Sequence, residues 1–229
     1  MRLVEITGSA KETWHLSKKL LKEIPGIGSK ITKEIGNETY LKFAEKEIDF
    51  CEKNNIKINL RHLKELPKLL SNCDDAPAIL YQKGSVDESL TPISIVGTRN
   101  MTSYGKHFIE EFLEILKNKK VLIVSGLALG TDGCAHTEAL KNQLKTAGVL
   151  AQGLHLIYPS QHKKLAAEIL EQDGALLTEF NSNDKPDREH FLQRNRIVAG
   201  FSPVTIVVET AFGGGSMSTV SYANDYNRE

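Results

Sequence analysis

ISIVGTRNMTSYGK (93–106) is the stretch that decides the fold. An uncharged, β-branched run stops at Gly97, a short polar segment follows, and an amphipathic stretch continues over 106–117. That is the pattern of a buried strand turning directly into a helix. It recurs downstream in VLIVSG (121–126), TAGVLAQG (146–153), ALLTEF (175–180) and VTIVVE (204–209), with a second amphipathic stretch at 160–171. Strand runs alternating with helical runs indicate βαβ units, and continuously apolar strands fit a mostly parallel sheet covered on both faces. The expected class is therefore α/β, with an extended Rossmann-like parallel or mixed sheet.

Upstream of this stretch the texture changes. Residues 1–90 are rich in Lys and Glu with helical periodicity, and composition shifts at the polar segment GSVDESLT (84–91). LKELPKLLSNCDDAPAILYQKG (63–84) reads as helix, turn and strand, delivering the chain to the sheet edge. The expected organisation is a small helical domain over 1–62 and a Rossmann-like domain over 63–229. Within the first, IPGIGSK (24–30) lies between two helical patterns. Pro25 ends one helix, the glycines permit a tight turn, and Ser29 is placed to cap the next. This resembles a helix-hairpin-helix turn, whose backbone can approach a nucleic-acid phosphate. The same turn also serves simply to pack two short helices.

Composition narrows the function classes. The 229 residues carry 29 basic and 29 acidic side chains, so the chain does not coat nucleic acid through sheer basicity, although a local basic pocket remains open to it. No apolar run is long enough to span a membrane, and the N-terminal residues have no secretory apolar region. Three widely spaced cysteines, Cys51, Cys73 and Cys134, form no CxxC pair, which points to a reducing, cytoplasmic setting.

In a doubly wound sheet, ligands bind beyond the carboxyl ends of the strands. Three junctions there carry glycines, hydroxyls and helix starts. GTRNMTSYGK (97–106) offers Gly97, Thr98, Arg99 and Ser103; SGLALGTDGCAH (125–136) offers Gly126 and Gly130; ETAFGGGSMST (209–219) offers Gly214, Gly215 and Ser216. Helix N-termini present free N–H groups and a partial positive charge, so the expected ligand is a phosphate held by the amides of 97–105, 126–132 and 213–218. GxGxxG and GxxxxGK[ST] are both absent, as is metal-ligand spacing. Asp132 reads as a helix cap and His136 as a packing residue.

Only seven of the basic residues are arginine, and three fall in DREHFLQRNRIVAG (187–200). Arginine grips phosphate bidentately and stacks on bases. With Arg99, Asn195 and the aromatic Phe191 nearby, the set suits single-stranded nucleic acid, although Phe191, followed by Leu192, reads equally as a core residue. Arg194 and Arg196 lie about 200° apart on a helix, so one faces the crevice and the other is expected to pair with Glu179 or Glu189. Glu209, ending the last strand, is placed to order crevice arginines or to act as a base.

The ordered strings IVGTRNMTSYGK, VSGLALGTDGCAH, GLHLIYPSQH, ALLTEF, HFLQRNRIVAG and VVETAFGGGSMST resemble the DNA-processing protein A (DprA, or Smf) family over roughly 63–229. The resemblance implies a non-enzymatic, cytoplasmic protein of natural transformation. Such a protein binds and protects single-stranded DNA, loads RecA onto it, forms homodimers, and needs no metal or nucleotide cofactor. It places the family's arginine on Arg99 and its RNR motif on Arg194, Asn195 and Arg196. Thr98 replaces the usual serine, and Leu129 and Thr131 replace the common arginine and isoleucine of the second motif. The family pattern also continues past Glu229 with another strand, so a sequence ending there is expected to be truncated. The rival from another class is a phosphoribohydrolase of the LOG type, whose PGGxGTxxE hallmark is matched by FGGGSMSTV without its proline and closing glutamate.

Overall fold

The computed structural model describes residues 2–211 and 213–229. It divides into two compact units, up to Asn54 and from Asn55 onward. The division falls before the expected 62/63 boundary because Ile56–Leu60 is a strand of the sheet, not the tail of a helical domain. The polar segment 84–91 is likewise a connection inside the second unit.

The first unit is helical: α1 (Arg2–Thr7), α2 (Ala10–His15), α3 (Lys18–Glu23), α4 (Ser29–Glu34) and α5 (Glu38–Lys53). Polar side chains start three of them. Ser9 accepts from the Glu12 amide, Ser17 from Leu20 and Asn37 from Thr39. At the PGIG turn the cap of α4 is Gly28 rather than Ser29, which is the first helical residue.

The second unit begins with β1 (Ile56–Leu60), α6 (Lys68–Ser71) and β2 (Ile79–Gly84). There follow β3 (Thr91–Gly97), α7 (Ser103–Ile115), β4 (Val121–Ser125), α8 (Thr131–Lys141), β5 (Lys145–Val149), α9 (Lys163–Glu171) and β6 (Ala175–Thr178). α10 (Arg188–Phe201), β7 (Thr205–Val208) and α11 (Ser216–Asp225) complete it. The seven strands form one mixed sheet in the order β1-β2-β6-β5-β4-β3-β7. β3 to β7 are mutually parallel, while β1 and β2 add an antiparallel edge.

Strand alternation sends successive side chains to opposite layers. Leu122 and Val124 of β4 pack with Leu70 of α6 and with Ile197, Val198 and Phe201 of α10. Between them, Ile123 packs with Ile109 and Leu113 of α7 and Ala135 and Ala139 of α8. α9 contributes Leu165 and Ile169 to a third cluster, with Leu150 and Leu176. The chain leaves β3 toward α7 on one face. It returns through α10 on the other, to β7 on the far side of β3. The β3/β7 border is thus the point at which strand order reverses, where the loops diverge and leave a crevice.

His136 is fully buried in α8, as its packing role requires. The Thr146 hydroxyl donates to the Ile123 carbonyl (2.9 Å), so the His136 Nδ1–H donates to Thr146 (2.7 Å). Burial lowers the imidazole pKa to about 3. The unfolded chain takes up this proton near pH 6.5 and the folded one does not. Stability is therefore complete above pH 6.5 and lost as pH falls toward 3, at about 1.4 kcal/mol per pH unit from this group. In urea unfolding, the advantage of wild type over His136→Gln should shrink steadily between pH 6 and pH 4. A constant advantage would contradict this assignment.

Candidate nucleic-acid interface

A cleft of about 730 Å³ opens at the β3/β7 border. Its walls come from the loop after β3 (Gly97, Thr98, Arg99), from Thr210 and the glycine-rich residues 213–216 after β7, and from α10 (Arg188, Phe191, Asn195). Tyr158 closes one side, and Asp132 and Arg194 lie at the base. Of the residues expected from sequence, Gly97, Thr98, Arg99, Arg194, Asn195, Gly214, Gly215 and Ser216 line it. Ser103, Gly126, Gly130 and Arg196 do not.

The three clustered cations have separate roles. Arg194 is only 3% exposed. Its Nη1 donates to the carbonyls of Gly126 (2.5 Å) and Val149, and its Nε donates to Asn195 Oδ1 (3.2 Å). It is an internal strut tying the ends of β4 and β5 to α10. Gly126 is required by this approach, because a Cβ there would lie 2.2 Å from the guanidinium. Asp132, buried beside it, accepts from the Ala128 amide (3.2 Å). Burial raises the Asp132 pKa, and the Arg194 charge opposes the rise. Arg196 pairs with Glu179 at 2.5 Å with both side chains nearly buried, as expected for one arginine of the pair. Neither is free to clamp a phosphate, which corrects the expectation for Arg194 and Arg196. Arg99 and Arg188 are the exposed guanidinium groups of the cleft, and among the described residues neither forms an ion pair.

Several of the junction amides are already engaged. At the first junction, Thr98 donates to the Glu209 carbonyl (2.8 Å), Asn100 to Thr98 Oγ1 (3.1 Å), and Thr102 to the Glu209 carboxylate (2.8 Å). At the second, Ala128 donates to Asp132, Thr131 to the Thr98 carbonyl (3.1 Å) and Gly133 to the Ala128 carbonyl (3.0 Å). Gly130, with a left-handed φ of +76°, lies under the carbonyls of Thr98 and Arg99. In two of the three amide sets expected to hold phosphate, some of the donors thus hold the chain's own oxygens. Glu209 pairs with neither crevice arginine directly; its carboxylate holds Thr102, the cap residue of α7. At the third junction the Thr210 and Ser216 hydroxyls are paired at 2.5 Å on the cleft wall. Asn195 reaches this loop, donating to the Gly215 carbonyl (3.2 Å) and Ser218 Oγ (2.9 Å).

The aromatic wall is what the sequence reading left open. The Arg99 guanidinium lies 5.0 Å from the centre of the Phe191 ring and that of Arg194 5.8 Å. Tyr158, 46% exposed, packs its ring 5.9 Å from Phe191. Phe191 is a half-buried platform flanked by a cation and a second aromatic, not a core residue. Tyr158 had no periodic signal to mark it. Its one cue was an aromatic residue in the connection after β5, on the ligand side of the sheet.

Together the reversal point, the hydroxyl- and glycine-rich loop and the cation-flanked aromatic wall define a Rossmann-like domain with an open polar cleft. A family model described as DNA recombination-mediator protein A matches residues 57–229, and the chain belongs to that family. Protein Smf of Synechocystis is 34% identical over the whole of this chain and 58% of its own length. The DNA processing protein DprA of Bacillus subtilis is 38% identical over 72% of this chain and 56% of its own. The chain therefore spans less than two thirds of these relatives. The X-ray structure of DprA from Streptococcus pneumoniae superposes with a TM-score of 0.80 at 27% identity, covering 99% of this chain and 78% of that one. DNA processing protein A from Helicobacter pylori, a structure described for its single-stranded DNA binding mode, superposes at 0.68 with 31% identity, covering 76% and 78%. Among the described residues no helix is long and apolar enough to cross a membrane.

Proposed function

We propose that this chain binds single-stranded DNA in the β3/β7 cleft, protects it, and passes it to a RecA-type recombinase during natural transformation. It acts in the cytoplasm as a homodimer, without catalysis or cofactor. The observation that carries the reading is the Phe191 platform with Arg99 over its face and Tyr158 beside it. A base has a π-face whatever its identity, and stacking on such a platform is worth about 1–3 kcal/mol. Paired bases in a duplex are already stacked and present no free face, so the cleft favours one strand. Arg99, Arg188 and the Thr210/Ser216 hydroxyls then accompany the backbone. The superposition on the Helicobacter protein supports the same ligand.

The carboxylates in and beside the cleft weigh against hydrolysis. Asp132 accepts from Ala128, Asp187 caps α10 through the Glu189 amide (2.8 Å), and Glu209 accepts from Thr102. Each is engaged by the protein itself rather than poised to activate water.

With two free cations in the cleft, dependence on salt should be shallow. The slope of log K against log[salt] for oligo-dT should be about −1.4 per cleft, from roughly 0.7 per phosphate neutralised. Fluorescence anisotropy across a salt series, with duplex as competitor, tests this. A slope several times steeper, or equal competition by duplex, would contradict it.

A further inference from the structure

We infer that Glu209 is the positioning residue that sets Arg99 over the Phe191 platform; the inference rests on the single-strand reading above. Arg99 sits in the short connection 98–102 between β3 and α7. Both ends of that connection close on Glu209. At one end the Thr98 amide donates to the Glu209 carbonyl (2.8 Å). At the other, the Thr102 amide donates to Glu209 Oε2 (2.8 Å) and the Thr102 hydroxyl donates to Oε1. Glu209 adopts a left-handed backbone, φ +54°, immediately after β7. Gly105 leaves the space the carboxylate occupies, since a Cβ there would lie 2.7 Å from Oε2. Inside the bracket, Asn100 is turned back onto Thr98 Oγ1, and the Thr98 carbonyl is held by the Thr131 amide and hydroxyl, both at 3.1 Å. The guanidinium of Arg99 thus leaves a connection fixed at both ends by the residue that directly follows β7. Glu209 opens the loop that carries Thr210 and Ser216, so its side chain ties the Arg99 connection to that loop through Thr102.

This role differs in sign from simple electrostatics. A carboxylate near a DNA cleft repels phosphate, so its removal would tighten binding if charge were all that mattered. Removal should instead weaken binding if Arg99 depends on it.

The test is oligo-dT affinity for Glu209→Ala, Glu209→Gln, Arg99→Ala and the Glu209→Ala/Arg99→Ala double variant, with folding checked by thermal unfolding. Loss of charge-assisted bonds on this scale should weaken binding by about tenfold in Glu209→Ala. Glu209→Gln should recover to within about threefold of wild type, because the carboxamide oxygen accepts from the Thr102 amide while its NH₂ donates to the hydroxyl oxygen. The double variant should bind no more weakly than Arg99→Ala alone, a coupling that a general loss of structure would not produce. If Glu209→Ala does not fold, Thr102→Ala removes the hydroxyl bond to Glu209 together with the long cap bond from the Gly105 amide, leaves the Thr102 amide on the carboxylate, and should give a smaller loss, again absent in the Arg99→Ala background. Equal losses in both backgrounds, or unchanged or tighter binding by Glu209→Ala, would overturn the inference and leave the single-strand reading standing. Wild-type affinity in Arg99→Ala would instead remove that reading at this cleft, and this inference with it.

Discussion

Replacing Arg194 by alanine is expected to destabilise the α/β unit by about 3–5 kcal/mol, the cost of leaving two buried carbonyls without donors and a buried carboxylate without the neighbouring positive charge. The change strips donors from the Gly126 and Val149 carbonyls and leaves the buried Asp132 carboxylate without its cation. It also opens a void behind Phe191. The carbonyls are backbone groups at the ends of β4 and β5, so the sheet cannot turn them to water without unpairing. Urea unfolding followed by circular dichroism measures the loss. A change below about 1 kcal/mol, the range of exposed ion pairs, would show that Arg194 is a surface cation and not a strut. A weaker DNA complex is also expected, as an indirect consequence of displacing Phe191.

Phe191→Ala is expected to act the other way round, with a small stability cost and a large loss of affinity. Phe191 is half-buried and faces the cleft, so truncation removes a stacking surface more than it removes core. Loss of one stacked base, about 1–3 kcal/mol, weakens oligo-dT binding by roughly 5- to 150-fold. Phe191→Trp should keep most of the affinity, since it preserves the π-face, and the salt slope should not change, because no phosphate contact is lost. Anisotropy titrations at two salt concentrations separate these effects. A loss in Phe191→Ala that disappears at low salt would mean that the ring only supports Arg99.

The fold was legible in the sequence because each buried parallel strand announces itself as an uncharged β-branched run ending at a turn residue. All five strands read that way, β3 to β7, are present. β1, IKINL, was not legible: it is a short edge strand with Lys57 and Asn59 in it, and its place depends on pairing with β2 rather than on an apolar run. The same strand moves the division between the units to residue 54/55. The cleft was legible in outline, since strand-end loops must meet at the reversal point.

Legibility failed where tertiary bonding decides a group's fate. An arginine in RNR looks the same whether it grips phosphate or plugs into two carbonyls, and burial alone separates Arg194 from Arg99. Likewise a helix N-terminus looks open until Glu209, more than a hundred residues away, fills it. The pairing of Arg196 was accessible, because helical angle forbids both arginines from facing one way.

The central claim is that a base lies on Phe191. The most direct test is photocross-linking of an oligo-dT carrying a single 5-iodouracil to this chain, with the adduct located by mass spectrometry. The account places the adduct on Phe191 or Tyr158, competed by unlabelled oligo-dT and poorly by duplex. Adducts elsewhere on the α/β unit or on residues 2–54, with none on the cleft aromatics, would contradict it.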